Sequence, residues 1–179
     1  MKKTLLTAAV IVACAGALAQ GTVNVSSTPS SIGSTQLVTD ADGVTPLAGA
    51  DYFAQMYMGP DADSLAPQGK AVNFLSGGGA GFFRDTDTVV VDNVAPGAEG
   101  LAQVRAWEAS GGASFEAALA AGALVGTSAN FLQATGGAGS PPRLPANMVN
   151  FTAFSLVPEP STAALGILGA IALMLRRRK

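Results

Sequence analysis

The sequence contains no histidine and one cysteine. Charged residues are 12% of it and aromatics 6%. Each shortage excludes a chemistry. Without histidine there is no Ser-His-Asp or Cys-His nucleophile system. Imidazole-ligated zinc or iron is excluded for the same reason. The lone thiol, Cys14, lies within the first twenty residues, so everything after it can form no internal disulfide. The stability of that part must come from an apolar core. A phosphate-binding loop is missing too. "SGGGAG" (76–81) lacks a following Lys-Ser or Lys-Thr and lies between strand-like runs, so it reads as a turn.

Positive charge is scarce in the middle of the chain. Between Gln20 and Val157 only Lys70, Arg84, Arg105 and Arg143 are basic, against eleven Asp and Glu, a net of −7. A body this acidic offers no patch to neutralise phosphates, so nucleic acid is not an expected partner. The remaining basic residues are at the two ends.

At the N-terminus, Lys2 and Lys3 precede an apolar run, Leu5 to Ala15, of 11 residues. Ala17 and Ala19 then place small side chains at the −3 and −1 positions before Gln20. That order is a secretory signal peptide (1–19) cut by signal peptidase, and the run is too short for a membrane span. A competing reading takes Ile11-Val12-Ala13-Cys14 as similar to a bacterial lipobox, with Cys14 lipidated; cleavage after Ala19 is preferred.

At the C-terminus, "VPEPSTAALGILGAIALMLRRRK" holds a charge-free stretch from Ser161 to Leu175, 15 residues long. As a helix it would span about 22 Å. That is short for a hydrocarbon core of about 30 Å, unless flanking side chains snorkel and the bilayer thins. Pro158 and Pro160 disfavour helix ahead of the stretch, so a helix starts after Pro160. Arg176, Arg177, Arg178 and Lys179 act as a stop and favour the cytoplasmic side. The expected precursor is exported and held at the inner membrane by this helix.

Pro158-Glu159-Pro160, an apolar helix and a basic terminus together resemble the PEP-CTERM sorting signal of exported proteins in Gram-negative, exopolysaccharide-producing bacteria. The resemblance covers 157–179 only. It implies recognition at Pro158, Glu159 and Pro160, with exosortase as the processing enzyme. It also implies placement at the cell surface or in an extracellular matrix, with exopolysaccharide as an associated partner. A permanent tail anchor is the alternative.

The middle, 20–157, alternates. "GTVNVSS", "DYFAQMYM", "KAVNFLS", "GFFR", "DTVVVDNV", "GLAQVRAWE", "GTSANFLQA" and "NMVNFTAFSLV" are short period-two runs broken by Gly, Pro, Asp and Ser. They predict a mostly β fold, a single antiparallel β-sandwich, with a last strand from Met148 to Val157. "ASFEAALAAGA" predicts a short helix stopped near Gly122. "SSTPSSIGS" and 136–145 read as loops. The length suits one domain with its own core.

Candidate chemistry in the middle is thin. Glu108 and Glu116 are the glutamates that could form a glycosidase-like pair, with each other or with an Asp, and the reading as surface carboxylates is preferred. Asp40-x-Asp42, Asp61-x-Asp63 and Asp85-x-Asp87 suit aspartates bonding their own turns, with calcium as the alternative. Trp107, Tyr52, Tyr57, Phe53, Phe82 and Phe83 are core residues or a sugar-stacking face. The sequons at Asn24 and Asn150 read as chance. The expectation is a non-enzymatic protein with no cofactor, no resident metal and no catalytic residues. A carbohydrate-binding sandwich is the alternative.

Overall fold

A computed structural model describes residues 20–138 and 141–158. The expected signal peptide with Ala17, Ala19 and Cys14 lies outside the described residues. So do Glu159, Pro160, the 161–175 span and the 176–179 tail. Among the described residues, no helix is long and apolar enough to cross a membrane.

The body is mostly β. Its strands, in chain order, are β1 (Gly21–Asn24), β2 (Val38–Thr39), β3 (Gly49–Gly59), β4 (Ala66–Phe74), β5 (Val89–Val91), β6 (Glu99–Glu108), β7 (Val125–Thr127), β8 (Phe131–Ala134), β9 (Ala146–Asn147) and β10 (Phe154–Ser155). Two helices interrupt them, α1 (Pro29–Ile32) and α2 (Phe115–Ala121). The largest sheet runs β4-β3-β6-β7, with β8 also on β6. A three-stranded sheet runs β5-β1-β9, and β10 pairs with β2.

Alternation decides which side chains go inside. On β3, Ala54, Met56 and Met58 are fully buried; on β6, so are Ala102, Val104 and Ala106. These two rows lie directly opposite each other in register, as Ala54↔Ala106, Met56↔Val104 and Met58↔Ala102. Cross-strand neighbours on this face pack as one layer of alanine, valine and methionine side chains. Val23 of β1 and Val89 and Val91 of β5 join the same cluster, so the two sheets share one core. Fully burying a side chain of methionine or valine size contributes about 1.5–3 kcal/mol.

The other face of β3 and β6 is also covered. Tyr57, Trp107, Phe115, Ala118 and Val125 form a second buried cluster. Helix α2 lies over it. Its start is set by Ser114, whose hydroxyl accepts a hydrogen bond from the Ala117 amide at 3.2 Å. Its end is Gly122, which takes the left-handed conformation (φ 71°) and donates its amide back to the helix. Helix formers between these two signals account for the element.

Four expectations are corrected. The pairing is not wholly antiparallel: β1–β9 and β2–β10 are parallel. Parallel neighbours need a connection of a dozen residues or more, and these partners are over a hundred apart, so direction is free. The strand expected over Met148–Val157 is not continuous. It is a turn after β9, an irregular stretch, then β10. Its buried residues, Met148, Phe151 and Leu156, are spaced by three and five, which no strand period satisfies. Finally, "SSTPSSIGS" contains a single helical turn, α1, opened by Pro29 and closed by Gly33 at φ 74°. "GFFR" forms bridges rather than a strand, with Phe83 opposite Phe74 and Arg84 opposite Ser26.

Candidate functional site

The sequence points to the junction at Pro158, and the described chain ends on it. Four residues lead into it. Phe154 and Ser155 pair with Val38 and Thr39. The hydroxyls of Ser155 and Thr39 lie 2.7 Å apart, within hydrogen-bond distance. Leu156 is fully buried, and its amide donates to the Thr39 carbonyl at 2.9 Å. Val157 donates its amide to the Val125 carbonyl at 2.8 Å and accepts the Val125 amide at 3.3 Å. Pro158 follows, exposed. Proline has no N–H to donate, so the first residue of the tripeptide ends the ladder chemically. The backbone is therefore tied down through Val157, and Pro158 follows with no spacer.

Gly126 makes the tight passage fit. A Cβ there would sit 2.7 Å from the Ser155 carbonyl oxygen and 3.1 Å from the Leu156 Cα. Any side chain at 126 would push the exit strand off β7.

At the other boundary, Gln20 is exposed and Gly21 already lies in β1, with its amide on the Val94 carbonyl at 2.9 Å. The Gln20 side chain donates to Asp92 at 2.7 Å.

The aromatics do not make a flat exposed face. Trp107 and Phe83 are fully buried, Tyr57 and Phe82 are buried, and Tyr52 and Phe53 are half-buried. Trp107 packs on Phe53 at 5.7 Å and on Phe115 at 6.4 Å between ring centroids. Its indole N–H donates to the Gly112 carbonyl at 3.0 Å, which satisfies the one polar atom it buries.

Glu116 is hydrogen-bonded to the sheet. The Tyr57 hydroxyl donates to it at 2.9 Å and Arg105 at 3.3 Å. The guanidinium lies 3.9 Å above the Tyr57 ring. Burial, then the bond to Glu116, raises the Tyr57 hydroxyl to about 12. This network fastens α2 to the sheet. Glu108 lies elsewhere, opposite Tyr52 in the β3–β6 register.

The aspartates close their own turns. Asp42 accepts from the amides of Val44 and Thr45, both at 2.8 Å, and from the Thr45 hydroxyl. Those bonds, the hydroxyl first, hold its carboxyl below the usual range. Asp61 caps a short 3-10 turn by accepting from Asp63 and Ser64, and the Ser64 hydroxyl likewise lowers it. Asp85 accepts the Asp87 amide at 3.0 Å, and Lys70 bridges both carboxylates. The Lys70 ammonium is raised, first by Asp87 and then by Asp85.

One feature was not legible in the sequence. Asn24, Ser26, Ser31, Arg84, Asp87 and Asn147 line an open polar groove of about 350 Å³. Arg84 forms no ion pair among the described residues. These side chains come from four separate segments, so no local pattern announces them. A second groove, about 340 Å³, runs along the β2–β10 pair beside Leu37, Phe154 and Ser155.

No family model, curated protein or solved structure matches this chain.

Proposed function

We propose that this is an exported, non-enzymatic surface or matrix protein whose single β-sandwich body is delivered through its C-terminal PEP segment. Signal peptidase cuts after Ala19. The 161–175 helix then holds the precursor at the inner membrane, with Arg176 to Lys179 inside. Exosortase recognises Pro158, Glu159 and Pro160 and removes the tail. The body then resides at the cell surface or in an exopolysaccharide matrix.

The observation that supports this reading most is the position of Pro158. It is exposed and follows directly on the last hydrogen-bonded residue of the body. A recognition tripeptide buried in the core would argue against it.

The test is the intact mass of the exported protein, with and without exosortase, beside Glu159→Ala. Loss of the segment after the tripeptide only in wild type with the enzyme present is expected. Retention of Arg176 to Lys179 in every case would make the tail a permanent anchor.

A second reading, carbohydrate binding, is favoured by the polar groove and not by the aromatics. Amides, hydroxyls, the Arg84 guanidinium and the carboxylates of Asp85 and Asp87 converge there at a size that suits a sugar residue. Retention on exopolysaccharide that Arg84→Ala abolishes and Trp107→Phe leaves intact would favour it.

A further inference from the structure

We infer that the groove beside Arg84 takes one residue of a neutral polysaccharide chain, with neighbouring hydroxyls bonded to Arg84 and Asp85, and that it discriminates against acidic sugars. This rests on the carbohydrate reading above.

The chemistry follows from what the lining side chains leave unused. Arg84 forms no ion pair among the described residues, although Asp85 and Asp87 line the same groove. The Asp85 side chain is only 3% exposed. Its Oδ1 accepts the Asp87 amide at 3.0 Å and lies 3.3 Å from the Lys70 ammonium. Its Oδ2 has no hydrogen bond among the described residues, yet it is not sealed from solvent. A carboxylate so nearly buried gains from a donor at its open oxygen. Asn24 and Asn147 are register partners on the parallel β1–β9 pair, and Asn24 donates to Asn147 at 3.1 Å. The Asn24 carbonyl and the Asn147 amide nitrogen stay free for a ligand.

Free donors and free acceptors therefore share one groove. A hydroxyl both donates and accepts, so a polyol satisfies the whole set. An anion would satisfy the donors alone. It would also meet two carboxylates, on a body with four basic and eleven acidic residues between 20 and 157. A metal ion would satisfy the acceptors alone, and the Lys70 ammonium already bridges Asp85 and Asp87. A neutral sugar meets neither obstacle. No aromatic side chain is among the lining residues, so hydrogen bonds carry the contact. At about 350 Å³ the groove takes one sugar residue, and its openness admits a residue from within a chain.

The test uses the purified full chain in detergent and exopolysaccharide from the producing cells. Anion exchange divides the polysaccharide into a neutral and an acidic fraction. Each fraction is titrated against wild type, Arg84→Ala and Asp85→Asn, at low and at high salt, with circular dichroism of every variant. Arg84 is exposed, so Arg84→Ala decides alone if Asp85→Asn disturbs the fold beside Lys70.

Wild type is expected to bind the neutral fraction, with an affinity that salt barely changes. Each substitution is expected to weaken that binding roughly ten- to hundredfold, the worth of a hydrogen bond to a charged group. Preference for the acidic fraction, lost at high salt, overturns the inference and leaves the carbohydrate reading standing. Neutral binding that Arg84→Ala leaves unchanged overturns it too, since the contact then lies elsewhere on the body. Binding of neither fraction overturns the inference and the carbohydrate reading together.

Discussion

β3 and β6 face each other over eight consecutive residues, and β9 and β10 are two residues each. The long pair is held twice over, by an unbroken ladder and by side chains that alternate between two buried clusters. The C-terminal stretch is held mainly by single plugs, Met148, Phe151 and Leu156, set into a core that the other strands have built. Most of the body's cohesion therefore lies in the long strands. The stretch that leads into Pro158 is the part paired over the fewest residues.

Substitutions can break or sharpen that contrast. The largest effect belongs to the long pair. Trp107→Ala removes a fully buried indole from the β6 register, and a loss of about 3–5 kcal/mol is expected in a denaturant titration. The loss should appear as a lower midpoint for the whole body.

Leu156→Ala should cost less, about 2–4 kcal/mol. The loss should concentrate at the exit, seen as faster amide exchange of residues 154–157 ahead of any global change. A uniform loosening of β3 and β6 by this variant would erase the contrast.

A third effect comes from pH. The Tyr57 hydroxyl is raised to about 12 in the fold against 10 when free, so the unfolded chain releases its proton first as pH rises. The stability is fully present below pH 10 and is lost between pH 10 and 12, by about 2 kcal/mol. Tyr57→Phe should flatten that part of the stability curve.

The smallest effect is at the cap. Ser114→Ala leaves the Ala117 amide without its acceptor and should cost about 1 kcal/mol, with the sheet registers unchanged by NMR.

The same contrast separates what the sequence made legible from what it did not. The alternation along β3 and β6 was legible, because a strand sends successive side chains to opposite faces; that both faces would be covered was not. Helix α2 was legible from its alanines and Gly122; the Ser114 cap was seen only in the fold. The last strand was not. Met148, Phe151 and Leu156 answer to cavities made by distant strands, and their spacing carries no period. Strand direction was hidden for a similar reason, since long connections leave β9 and β10 free to run either way. Trp107 allowed two readings because a large aromatic suits a core and a sugar face alike; only its neighbours Phe53 and Phe115 decide. At the site, Pro158 was legible as a motif. The bonds that fasten Val157 to Val125 were not, because they join residues 32 positions apart.

The most direct test of the account is native-state amide exchange on the purified full chain in detergent, comparing Val157 with Met56 and Val104. The account predicts that the Val157 amide is protected, because it donates to Val125, and that it opens at a distinctly lower free energy than the β3–β6 pair. A Val157 amide exchanging at the rate of a free peptide would mean that the exit is already loose. One that opens only with the whole body would mean that the exit stretch is held as firmly as the long pair.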